Sequence, residues 1–167
     1  KDNGPWDQLV TKENIIIKSL QDGVIITIND KINITPFLVP HRDEYSETVG
    51  FNISGPNKSV LFIPDIDKWD LWQKDIVAEI ERNDHLFLDA TFFDGTELPG
   101  RDMDQIPHPF VVESMQLFAK LSLEEKQKIH FIHFNHTNPL YQPGSNASKT
   151  LINAGLRVAK QGQIFNL

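Results

Sequence analysis

Histidine and carboxylate are the side chains from which a cysteine-free chain builds a metal centre or an acid–base pair, and here several of them stand at the ends of apolar runs. His41 follows "INITPFLVP". Asp65 and Asp67 follow "SVLFIP". Asp89 lies inside "LFLDATFF", and His108 closes a long polar loop in "IPHPF". His130, His133 and His136 fall three apart in "HFIHFNHTNP". In layered α/β folds, functional groups gather where strands end and loops begin. Imidazole and carboxylate together suit zinc, iron or manganese. A bound metal of this kind brings the pKa of water toward neutrality, which supplies a nucleophile. A carboxylate beside an imidazole fixes its tautomer and lets the pair move a proton.

Each residue also has a plainer reading. Asp67, just before "KWDLW", suits an N-cap. His41 and His108, taken singly, read equally as hydrogen-bonded structural histidines. Asp89 sits among Leu86, Phe87, Leu88 and Phe92, where burial of an unpartnered carboxylate is costly, so it needs a partner or a function. The three clustered histidines invite a single-ion reading, but "IHFIHF" has strand composition. In a strand, side chains alternate faces, so His130 points away from His133 and the two do not chelate one ion. His133 is the candidate ligand, and His136 with its turn shapes a pocket wall.

The elements that position these groups follow from pattern. Residues 14–20, 23–29 and 32–40 are rich in isoleucine, valine and threonine and read as strands. Residues 48–53 and 59–65 read as a hairpin around "SGPNK". Trp72, Ile76 and Ile80 recur at helical spacing and predict one helix over 69–83. A short strand over 86–92, a helix over 109–121, a Ser122–Glu125 capping box and a strand over 129–134 come next. A helix over 145–155 ends at Gly155, and a hairpin around Gly162 closes the chain. Antiparallel strands followed by alternating helices and strands imply an α/β (α+β) layered domain, with residues 1–167 as one unit. The polar stretch 93–108 is long enough to be functional.

Composition removes several classes. With no cysteine there are no disulfides and no thiolate chemistry. A net charge of −7 without a basic stripe argues against a nucleic-acid partner. No apolar run approaches the roughly 20 residues of a membrane span. These features lead us to expect a cytoplasmic protein acting on a small molecule or peptide.

Taken in order, "VPHRDEYSETVGF", "VLFIPDI", "FLDATFF", "PH" and "IHFNHTNP" resemble the second half of metallo-β-lactamase-fold proteins, in particular the coenzyme PQQ synthesis protein B (PqqB) family. The likeness extends from "NGPWDQLV" to the closing "AKQGQIFNL". It implies the C-terminal half of an αββα sandwich. A more distant resemblance to tRNase Z implies His41, Asp65 and His133 as metal ligands and Asp89 with His108 as a proton-donating pair. The PqqB pattern implies Asp89 as an alternative ligand, and both assignments stay open here. The metal would be zinc or iron, with manganese also suited. The reaction would be hydrolysis, or oxidation of a tyrosine-derived peptide. The fold's His-X-His-X-Asp-His motif occurs nowhere in the 167 residues. The resemblance therefore implies a missing N-terminal half as the first partner of this chain, weak metal binding without it, and association into homo-oligomers through the uncovered sheet.

Overall fold

A computed structural model describes residues 5–44 and 46–167; the start of the "NGPWDQLV" block, Tyr45 and the side chain of Asp104 lie outside the described residues. Seven strands form one sheet in chain order: β1 (Ile26–Thr27), β2 (Asn33–Val39), β3 (Thr48–Ser54), β4 (Ser59–Ile63), β5 (His85–Asp89), β6 (Ile129–Ile132) and β7 (Arg157–Val158). The first four run antiparallel, and β4 to β7 run parallel. Parallel neighbours need crossovers, and these carry α2 (Ile76–Arg82), α3 (Val111–Leu117), α4 (Leu123–Lys128) and α5 (Asn146–Asn153); α1 (Pro5–Thr11) precedes the sheet. A consistent crossover hand along sequential strands puts these helices on one face.

The core lies on that face. Leu61, Ile63, Leu86, Leu88, Ile129 and Phe131 from the strands pack with Ile76, Ile80, Val111, Phe118 and Leu151 from the helical side. Alternation sends the intervening residues to the other face. There Phe51, Phe62, Phe87 and His130 are successive cross-strand partners and form an aromatic row across the sheet.

Several expected elements differ. Residues 14–20 form no strand, and 23–29 contributes only the two residues of β1. The run has the composition of a strand but leaves Ile16, Ile17 and Leu20 exposed, since propensity without a pairing neighbour does not hold a strand. The single helix over 69–83 is two pieces, a 3₁₀ turn at Trp69–Leu71 and then α2. Asp75 divides them by accepting a hydrogen bond from the Val77 N–H as the N-cap of α2. Asp67 caps neither piece; its Oδ1 accepts only from the adjacent Lys68 N–H. The helix over 109–121 is α3 followed by a 3₁₀ turn. The closing hairpin is replaced by β7, which pairs parallel to β6. Gly162 still makes a turn, with φ +78°, but the tail then crosses to the open face of the sheet. The Ser122–Glu125 capping box and the helix end at Gly155 are as expected. No helix among the described residues is long and apolar enough to cross a membrane.

His130 belongs to this open face. It is 2% exposed, stacks on Phe87 with ring centroids 5.3 Å apart, and meets the edge of Phe165 at 4.9 Å. Its Nδ1 makes no hydrogen bond. Burial, with Arg157 and His85 nearby, lowers its pKa from 6.5 to about 4. The neutral ring is thus the folded form. Stability from it is complete above pH 6.5 and is lost as the pH falls toward about 4, a loss on the order of 3 kcal/mol. Urea unfolding between pH 7.5 and 4.5 should show this slope, and His130→Phe should flatten it. An unchanged slope in the variant would contradict the assignment.

Candidate metal centre

The parallel ladder sets strand ends side by side. Ile63 pairs with Leu88, and Asp89 with Ile132, so the residues just past β4, β5 and β6 converge. Asp65 follows β4 by two positions, Asp89 is the last residue of β5, and His133 is the first beyond β6. β2 runs in the same direction as β4, which brings His41 to the same edge, and the Asp67 N–H donates to Pro40 O at 2.7 Å to tie the two turns. His108 arrives from the long loop. Its entry is fixed where Val111 and Val112 donate backbone hydrogen bonds to Phe92 and Phe93.

Asp65, Asp89, His108 and His133 each offer a ligating atom, and these four atoms lie within 4.8 Å of one another. His41 is adjacent but outside that group, with Nε2 3.2 Å from Asp65 Oδ1. His130 and His136 are not part of it; the exposed His136 ring meets only the Asn135 side chain at 3.1 Å. His133 does not reach the cluster by strand alternation. It leaves β6 with φ +64°, a left-handed conformation uncommon outside glycine, though histidine adopts it more readily than most, and concentrated at functional sites. This turn aims its Nδ1 at Thr91 Oγ1, 3.0 Å away.

Asp89 is fully buried and fully partnered. Its Oδ1 accepts from the Thr91 N–H at 2.8 Å and hydroxyl at 2.7 Å. Its Oδ2 accepts from the Ile66 N–H at 3.2 Å and from His108 Nδ1 at 2.8 Å. A carboxylate has about four acceptor positions, and all are engaged. Burial alone would raise its pKa, but the His108 hydrogen bond, the nearby His133 ring, the His108 charge and the Thr91 hydrogen bond hold it below the ordinary carboxylate value. His133 moves the other way. Asp89, 3.7 Å off, raises its pKa against the effect of burial, and Asp65 adds to the rise.

Asp65 is the contrast. Its Oδ1 is buried and makes no hydrogen bond, although His41 Nε2 and His108 Nδ1 stand 3.2 and 3.4 Å away. His41 Nδ1 meets the Pro107 carbonyl at 3.1 Å, which requires the proton on Nδ1. In that tautomer Nε2 presents a lone pair to the Asp65 oxygen. Two facing lone pairs repel unless a proton or a cation lies between them. A divalent cation fits this donor set of imidazoles and carboxylate oxygens.

Two supporting residues escape sequence reasoning. The Thr91 hydroxyl touches Asp89, His108 and His133 at once. Asn138 is buried, and its Nδ2 donates to Ala90 O at 2.8 Å and Thr91 O at 3.3 Å while its Oδ1 caps the Leu140 N–H. The available signal was the pair of motifs "DAT" and "TNP", where polar residues adjoin core positions and require partners.

Comparison with known proteins supplies the family. Residues 4–134 match the beta-lactamase superfamily domain. Coenzyme PQQ synthesis protein B of Ruegeria pomeroyi is 27% identical over 124 residues, covering 70% of this chain and 40% of that protein. Zn(2+)-bound PqqB from Methylobacterium extorquens superposes with a TM-score of 0.71 at 21% identity, covering 90% of this chain and 55% of that one. The metallo-β-lactamase fold protein YhfI from Bacillus subtilis gives a TM-score of 0.54 at 13% identity, with 93% and 58% covered. The chain therefore spans about half the length of the relatives it matches. It belongs to the beta-lactamase superfamily and has a metallo-β-lactamase fold close to that of PqqB.

Proposed function

We propose that this chain carries part of the metal site of a PqqB-like enzyme, one that acts in coenzyme PQQ synthesis on a small molecule or tyrosine-derived peptide. The observation that supports the reading is the convergence of Asp65, Asp89, His108 and His133, with the hydrogen-bond-free Asp65 oxygen at its centre. Asp65, His133 and His41 are the proposed ligands, to zinc or iron. The remaining ligands would come from the part of the relatives' length that this chain does not span. A bound divalent metal would supply Lewis acidity and a nucleophilic water, or oxygen chemistry if it is iron.

The chain's own residues do the rest. Asp89 accepts the Nδ1 proton of His108, which leaves His108 Nε2 to exchange a proton with a reacting atom. Thr91 holds that carboxylate in place, and its own carbonyl is held in turn by Asn138. The Asp89–His108 bond also favours a second reading, hydrolysis of a small ester, lactone or phosphodiester, in which the pair protonates the leaving group. A scaffold without chemistry would have little use for two imidazoles facing a buried carboxylate oxygen that makes no hydrogen bond.

The test uses the product of the complete gene, loaded with zinc or with iron(II). Hydrolysis of bis(4-nitrophenyl) phosphate and of 4-nitrophenyl acetate is measured beside oxygen uptake with a tyrosine-containing peptide. Metal-dependent turnover of one class is expected, falling about a hundredfold or more in His108→Ala. A protein that binds neither metal and turns over nothing would sink the reading.

A further inference from the structure

We propose that the substrate of this site is anionic, an apolar body ending in a carboxylate or phosphate, and that Arg42 and Arg101 receive the charge; the proposal rests on the metal-centre reading above. A cavity of about 260 Å³ adjoins the cluster. His41, His108 and Thr91 form part of its lining, so it borders the proposed reacting atoms directly. Arg42 and Arg101 line it as well, and none of its lining residues is a carboxylate. In a chain of net charge −7, two guanidinium groups thus line one cavity, with the carboxylates of Asp65 and Asp89 behind the lining imidazoles of His41 and His108.

Both arginines are exposed, and among the described residues neither enters a salt bridge. Arg42 directly follows His41 on the turn after β2, and Arg101 follows Gly100 in the long loop. Two separate segments thus bring a cation to one cavity. Guanidinium groups match carboxylate and phosphate oxygens with paired hydrogen bonds. Phe92 and Ile106, both buried, supply apolar surface to the same lining. The arrangement suits a ligand whose anionic end faces the arginines and whose apolar body reaches toward His108.

The experiment measures binding by calorimetry to the product of the complete gene, with and without zinc. The probes are 4-hydroxyphenylacetate, phenylphosphonate and the neutral 4-hydroxyphenylacetamide. We expect at least one anion to bind about tenfold tighter than the amide, and the tighter anion identifies carboxylate or phosphate as the source. Arg42→Gln and Arg101→Gln should each weaken that anion about tenfold, with partial recovery in the lysine variants. Rising salt should weaken it further. Arginine-dependent binding that persists without zinc supports this inference even if the metal reading fails. Zinc-dependent binding that is unchanged in the double glutamine variant overturns it and leaves the metal reading standing. Equal affinity for acid and amide, or no binding of any probe, also overturns it.

Discussion

Replacing His133 with alanine is expected to lower zinc affinity of the complete gene product about a hundredfold or more, while His130→Phe leaves it within about twofold. The two histidines sit three residues apart and face different surroundings. His133 turns out of β6 through a left-handed residue and enters a cluster with two carboxylates that raise its pKa. His130 is held between Phe87 and Phe165 with no polar partner for Nδ1. Removing the proposed imidazole ligand takes away one of the four ligating atoms of the cluster. Removing His130 changes only aromatic packing. A chelating-dye competition reads both affinities, and the exposed site of His133 makes refolding of the variant straightforward to confirm by circular dichroism. Equal loss from both variants, or loss from neither, would contradict the assignment.

Asn138→Ala is expected to cost about 2–4 kcal/mol of stability and to weaken metal binding roughly tenfold in the same protein. Asn138 supports three backbone groups. It donates to the carbonyls of Ala90 and Thr91 and accepts from the Leu140 N–H. Thr91 O keeps a second donor in the Asn135 N–H, so the carbonyl of Ala90 is the one left exposed to loss. A buried polar group without a partner costs about 1–3 kcal/mol, and a lost cap adds about 1. The effect on metal follows because the clamped residues are the two after Asp89, and Thr91 touches three members of the cluster. Urea unfolding and the same dye competition check the two halves. A loss under about 0.5 kcal/mol would show that water replaces the amide.

The sequence made some of this architecture legible through local signals that agree with their surroundings. The alternation in β2 to β4 and the short apolar runs of β5 and β6 are pairing strands because each has neighbours on both sides. The run at 14–20 has the same composition and no such neighbours among the described residues, so composition alone misleads there. Trp72, Ile76 and Ile80 are all buried, as their spacing implies, yet only Ile76 and Ile80 lie in α2, and Trp72 is the extended residue that ends the 3₁₀ turn. The spacing reports which residues face the core; Asp75 decides where the helix starts. At the site, Asp65, Asp89 and His133 stand at the ends of parallel strands that deliver them to one edge, while His108 arrives from the long loop and His41 stands beside the group. Two things lie beyond that reasoning. Alternation does not foresee the left-handed residue at 133, and the acceptor positions of Asp89 are filled by backbone groups that no side-chain pattern announces.

The left-handed backbone at His133 also bears on which side chains this position can accept. Most L-residues pay a steric penalty of roughly 1–2 kcal/mol in that conformation, glycine pays none, and asparagine, aspartate and histidine adopt it more readily than the rest. The backbone thus filters substitutions before chemistry does. Valine, isoleucine and threonine are disfavoured whatever the protein's activity, while asparagine and aspartate keep both the turn and an oxygen donor. Asn, Asp or Gly in place of His133 would therefore keep the turn while the donor atom changes from nitrogen to oxygen, or disappears.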